Sequence, residues 1–197
     1  MRRYIYFVFL LCCAVNLLLT SCVRQKYVVM DMVHHNPGEA MTESKFLDPS
    51  FLKKNEYGAK VFFLFEAAQF GIDWKSFDPS LFPDTTEAGR WVAEKAEIIH
   101  KKYDAAKKED LQVYCMLDML VLPSLLVEKH RTELTNEQGK LDISKPYTQL
   151  CIRELMKEMF ETFPQLDGLV IRTGETYLHD APYYVGNHPV QNGMYDH

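Results

Sequence analysis

The chain has 197 residues, of which 47% are hydrophobic, 13% aromatic and 25% charged, a balance that excludes intrinsic disorder. Nine Gly and nine Pro are ordinary numbers and exclude collagenous or low-complexity architecture. A formal net charge of −5 with no basic stripe argues against a nucleic-acid partner.

Residues 1–22 have the composition of a targeting segment. Arg2 and Arg3 form a positive start, Tyr4 to Leu19 is almost wholly apolar, and Leu19-Thr20-Ser21-Cys22 resembles the bacterial lipobox. The apolar run is short for a transmembrane helix, which needs about 20 residues. An uncleaved anchor is the alternative. In the lipoprotein reading Cys22 becomes the acylated N-terminus, and acyl chains hold the protein on the membrane. The expected location is the bacterial cell envelope, on the periplasmic side or the cell surface. Export would remove both arginines and no acid, lowering the formal charge from −5 to −7, so lipid and not electrostatic attraction would do the tethering. Of the five cysteines, only Cys115 and Cys151 lie in the expected domain, residues 23–197. Each stands in an apolar stretch and is read as a free thiol in preference to a disulfide.

Apolar strand-like runs then alternate with amphipathic helices. Lys26–Val33 is a β-branched run ending at His34-His35-Asn36-Pro37-Gly38. A short helix is expected over 46–55. Ala59–Ala67 is a second run, followed by a long loop through Gly71, Asp73, Trp74 and Pro83. A helix over about 85–106 is announced by Asp84 and Glu87 at capping-box spacing, with Val92, Ala96, Ile99, Tyr103 and Ala106 on one face. Leu111–Leu122 is the third run, halted at Pro123. A helix over about 147–163 carries Ile152, Leu155, Met156, Met159, Phe160 and Phe163, and Leu166–Arg172 is the fourth strand.

Near-continuous apolar strands in a βαβα order imply a parallel sheet within an α/β fold. An open doubly wound sheet and a (β/α)8 barrel both satisfy this. No GxGxxG or GxxxxGK[ST] turn is present, and the loops after the strands are long and rich in aromatic, His, Asn and carboxylate residues, which favours the TIM barrel. A complete barrel takes about 250 residues. The four units here therefore read as its first half, truncated after the fourth strand, with a self-contained four-stranded domain as the alternative.

Each run carries an acid near its C-terminal end: Asp31, Glu66, Asp118 and Glu175. In a parallel barrel those ends share one mouth. A carboxylate in an apolar strand is costly unless paired, hydrogen-bonded or protonated, so four in equivalent places are informative. Any one of them is alternatively structural, capping a loop or holding an Arg such as Arg172. Glu175 follows Thr173-Gly174 and precedes Tyr177, His179, Asp180, Tyr183, Tyr184, Asn187 and His188. Flat rings with polar tips suit a carbohydrate; an ordinary Tyr-rich surface loop has the same composition. His34 joins this set from the first loop. Trp74 is either a sugar platform or a loop Trp packed on a helix, and Trp91 belongs to the core. Adjacent His34 and His35 point apart in extended chain and cannot chelate together. No HExxH and no GxSxG occurs, and the residues call for neither a metal nor a cofactor.

The run LDGLVIRTGETYLHDAPYYVGN, behind a lipoprotein signal, resembles exported bacterial glycoside-hydrolase-like (β/α)8 proteins over roughly residues 26–193, with IRTGE as its distinctive segment. The resemblance implies a carbohydrate substrate. In many retaining glycosidases of barrel type the acid/base glutamate ends the fourth strand, commonly after Asn. Glu175 matches that position, with Gly174 in place of the Asn. The rival function is a non-catalytic lipoprotein that binds glycans or scaffolds an envelope complex.

The lipobox yields the first prediction. Metabolic labelling with a palmitate analogue will mark the wild-type protein and will be lost in Cys22→Ala. Equal labelling of both would refute acylation at Cys22.

Overall fold

The computed structural model describes residues 30–31, 44–63, 66–173, 176, 178 and 180–187. Cys22, His34, Glu175, Tyr177 and His179 lie outside the described residues, and Asp31 is described in its backbone pairing alone.

The chain is a mixed α/β protein. Its strands β1 (Met30–Asp31), β2 (Ala59–Phe62), β3 (Gln112–Asp118) and β5 (Gly168–Arg172) form one parallel sheet in the spatial order β1-β2-β3-β5. Each new strand of that sheet adds on the same side as the last. A doubly wound sheet reverses direction at a switch point; among the described strands there is none.

Strand alternation gives the sheet two unlike faces. The register Phe62↔Cys115↔Leu169 puts these residues on one face with Val113 and Leu117. That face is covered by α2 (Glu87–Lys108), whose Tyr103 ring lies 4.8 Å from Phe62, and it shares a core with Cys151, Ile152, Leu155 and Met159 of α5 (Pro146–Thr162). The opposite face carries Val61, Tyr114, Met116, Val170 and, at the strand ends, Asp118 and Arg172. Tyr114, Met116 and Val170 are half-buried among the described residues. A side chain at Gly168 would meet the Tyr114 ring at 2.7 Å, so glycine is what lets that ring lie flat across β5.

Several boundaries differ from the sequence expectation. The helix α2 is capped by Thr86, not Asp84: the Thr86 Oγ1 accepts from the Gly89 amide at 3.0 Å, while Asp84 pairs with Lys75 at 3.2 Å. The second apolar run leaves the sheet after Phe62 and closes a 3-10 turn at Ala68–Phe70, so Glu66 stands in a connecting turn beyond the strand. The third run divides. After β3 the chain turns at Met119-Leu120 and forms β4 (Val121–Pro123), which pairs antiparallel with β6 (Tyr184–Gly186). Pro123 therefore sits in this ribbon and leads into α3 (Ser124–Lys129), which α4 (Arg131–Leu134) follows. The short helix α1 (Pro49–Lys54) falls within the expected 46–55.

Helix α5 also turns its face from the expected one. Phe160 is 42% exposed, and Glu158 is buried in its place. The inward stripe runs through Thr148, Cys151, Ile152, Leu155, Glu158 and Met159, a single 3.6-residue face. Glu158 is tolerated there because the Ser76 hydroxyl donates to its Oε1 at 2.5 Å. Burial raises the Glu158 carboxyl above its ordinary pKa, and the Ser76 bond opposes that rise.

Cys115 and Cys151 are both buried free thiols. Burial raises Cys115 to about 11 and Cys151 to about 12. Alkylation at pH 8 therefore runs at least about 100-fold slower at both sites in the folded protein than in denaturant, because the thiolate is the nucleophile. Mass spectrometry after timed iodoacetamide treatment measures this, and fast labelling of either residue in the native state would contradict its burial.

Candidate functional site

The parallel register places Asp118, the last residue of β3, directly opposite Arg172, the last residue of β5. Their side chains form a two-pronged pair: Arg172 Nε donates to Asp118 Oδ1 at 2.6 Å and Nη2 to Oδ2 at 2.9 Å. Planar guanidinium matches carboxylate in this geometry, which fixes orientation as well as charge. The Asp118 side chain is 7% exposed and that of Arg172 is 24% exposed, so the pair is shielded but reachable at one side.

Phe63, Ala67, Gln69, Phe70 and Met116 close a recess around the pair. It offers about 10 Å³ to a water-sized sphere, enough for one oxygen and too little for a sugar ring. Gln69 belongs to this lining. Gln69 is 2% exposed, and its buried Oε1 has no hydrogen-bond partner among the described residues. Such an atom carries a desolvation cost of about 1–3 kcal/mol until a donor reaches it.

The turn bearing Gln69 is held from two sides. From the helix-covered face, Cys115 Sγ accepts the Ala68 amide at 3.1 Å. From the β4–β6 ribbon, the Tyr184 hydroxyl donates to the Gln69 carbonyl at 3.4 Å. Tyr184 is itself clamped by Phe70 at 5.0 Å and Phe82 at 5.7 Å. Full burial raises the Tyr184 phenol far above its ordinary pKa, so it stays neutral and remains a donor.

These contacts correct three of the candidates drawn from the sequence. Trp74 is fully buried in the core beside Phe77, with φ at +59°, so its ring presents no open face to a sugar. Tyr184 is a buried clamp on the Gln69 turn. Asn187 is engaged with the backbone: its Oδ1 accepts the Leu141 amide at 2.7 Å and its Nδ2 donates to the Leu141 carbonyl at 3.1 Å, stitching the ribbon to the segment after α4. Glu66 pairs with Lys102 of α2, and its carbonyl accepts the Tyr103 hydroxyl at 2.9 Å. It lines a separate hollow with Leu47, Pro49, Lys60 and Phe62. Of the residues nominated from sequence, the recess brings together Asp118 and Arg172.

No family model and no curated protein sequence matches the chain. Among solved structures it is similar to a noncanonic maltogenic alpha-amylase from Thermotoga neapolitana, at 16% identity and a TM-score of 0.45. That likeness covers 78% of this chain and 41% of the amylase chain, so this chain spans about two-fifths of it.

Gln69 carries no motif in the sequence. Its one signal is a polar amide between the apolar Ala67-Ala68 and Phe70. Among the described residues no group of three or more His, Cys, Asp and Glu side chains is arranged to hold a metal ion.

The pair can be tested as a unit. Asp118→Ala and Arg172→Ala will each lower unfolding free energy by roughly 1–3 kcal/mol in urea melts, since each removes both charge-assisted hydrogen bonds of the shielded pair. The double variant will lose less than the sum of the two. Strict additivity would show that the two side chains do not interact.

Proposed function

We propose that the chain is the first half of a (β/α)8 barrel, carried to the bacterial envelope and anchored by lipid at Cys22, and that the mouth of this barrel forms part of a glycoside hydrolase site. The observation that carries this reading is the recess itself. Two adjacent parallel strands deliver Asp118 and Arg172 from their C-terminal ends onto the face away from the helices, which is the inner face in a barrel. The one-directional strand order supports the same architecture. In the sequence Glu175 lies between Arg172 and β6, and Tyr184 of β6 is clamped by Phe70, a residue of the recess lining.

In this reading Glu175 is the general acid. It protonates the glycosidic oxygen as the bond to the sugar breaks, and a pKa near the working pH suits that task. Hydrolysis needs a second carboxyl group, about 5–5.5 Å away for retention or about 6.5–9.5 Å for inversion. That group would come from a later strand of the barrel. Asp118, held by Arg172, orients the mouth. Phe63, Phe70 and Met116 supply apolar surface beside it.

A second reading, a glycan-binding protein without catalysis, is favoured by one observation: the described carboxylate in the recess is already committed to an arginine. The two readings separate by experiment. In a protein extending through all eight units, Glu175→Gln keeps the shape and lowers turnover by about 100-fold or more, with glycan affinity retained. Unchanged turnover would remove Glu175 from the chemistry. Glycan binding with no turnover by any form of the protein would establish the binding reading.

A further inference from the structure

We propose that the hollow between the start of α2, the start of α3 and the turn before β6 binds a small ligand with an apolar body and one cationic amine, and that Glu128 selects that charge. The proposal is independent of the glycan reading, and the hollow shares no lining residue with the recess.

The hollow has a volume of about 300 Å³, at the small end of the range in which folded proteins bind small molecules. Phe82 and Pro83 stand on one side, Pro123 and Leu125 on a second, and Pro182 and Tyr183 on a third. These walls are fastened to one another before any ligand arrives, which spares the cost of ordering them on binding. Lys129 of α3 donates to Asp78 Oδ2 at 2.8 Å, in the loop that leads to Phe82. The Ser124 amide donates to the Tyr183 carbonyl at 2.8 Å, and the Thr86 amide donates to the Pro83 carbonyl at 2.9 Å. Tyr183 also meets Trp91 of α2 edge-on, with ring centroids 5.7 Å apart.

Two hydroxyls of the lining are already used within the protein. That of Ser80 donates to Asp78 Oδ1 at 2.5 Å, and that of Thr86 donates to the Pro83 carbonyl at 2.7 Å while accepting the Gly89 amide at 3.0 Å. A sugar ring brings several hydroxyls that each need a partner, so these walls suit an apolar body instead. Charge decides the rest. Glu128 is the charged side chain of the lining, exposed at the rim three residues after Leu125 and so on the same face of α3. It has no ion-pair partner among the described residues. The ions around it cancel: Lys129 pairs with Asp78, Lys75 with Asp84, and Glu87 and Arg90 act on the Tyr183 phenol with opposite sign. Glu128 therefore leaves the rim with a net negative charge, which attracts an ammonium group and repels a carboxylate.

The test uses the full chain in nonionic micelles, with binding read from NMR shifts of the Leu125 methyl groups, so that ligand dissolved in the micelle is not counted. Phenylpropylamine, phenylpropanol and phenylpropionate share one apolar body and differ in charge. In the wild type the amine is expected to bind at least about fivefold more tightly than the carboxylate at low salt, with the alcohol between them. Glu128→Gln, a change at an exposed position, is expected to bring the three affinities within about twofold of one another, with the alcohol's affinity and the melting temperature unchanged. Leu125 methyl groups that none of the three ligands moves would overturn the site. A carboxylate bound as tightly as the amine, or an order that survives Glu128→Gln, would overturn selection by Glu128. Maltose or cellobiose binding at the same methyl groups more tightly than the amine would overturn the apolar amine as the occupant.

Discussion

The β3–β5 register governs the rest of the candidate site. Because the two strands run parallel with Tyr114 opposite Gly168, Asp118 falls opposite Arg172 four residues later. A shift of one residue would turn one of the two side chains onto the helix-covered face, where a lone charge would be buried without its counter-ion. Gly168 permits this pairing, since a Cβ there would meet the Tyr114 ring at 2.7 Å. The ion pair thus reports that the strands are correctly aligned, and it shapes the recess that alignment creates.

Around that register the sheet is built asymmetrically. One face is closed by α2 and shares its core with α5, and it absorbs the largest apolar side chains, Tyr103 and Phe163 among them. The other carries half-buried Tyr114, Met116 and Val170 with the polar pair at the strand ends. The polar pair thus lies on the face that the helices leave uncovered among the described residues.

The turn at Gln69 shows how the core fixes a backbone segment from two sides. Its backbone is secured by a thiol beneath and a phenol above, both buried and both held neutral by burial. Neither Cys115 nor Tyr184 lines the recess. Each acts on it through the turn, so the placement of the turn depends on packing that extends into β3 and the β4–β6 ribbon.

Periodicity alone determined much of this protein. The alternation of apolar runs and amphipathic helices specified an α/β fold with a parallel sheet, and it located α1, α2 and α5 to within a few residues, because burial repeats along a helix with a fixed period. The acid at the end of β3 was legible for the same reason: a carboxylate in an apolar run demands a partner, and Arg172 was a named candidate. What only tertiary structure decided is which candidates remain available for binding. Trp74, Tyr184 and Asn187 have the composition of a sugar site and are used by the core and the ribbon, while Gln69 has no motif at all. The split of Leu111–Leu122 into β3 and β4 was equally hidden, since its cause is β6, more than sixty residues downstream. Local pattern records whether a residue is apolar and how often. Which hydrogen-bonding group ends up beside which other is set by strand register and loop closure, and these depend on pairs of residues far apart in the chain.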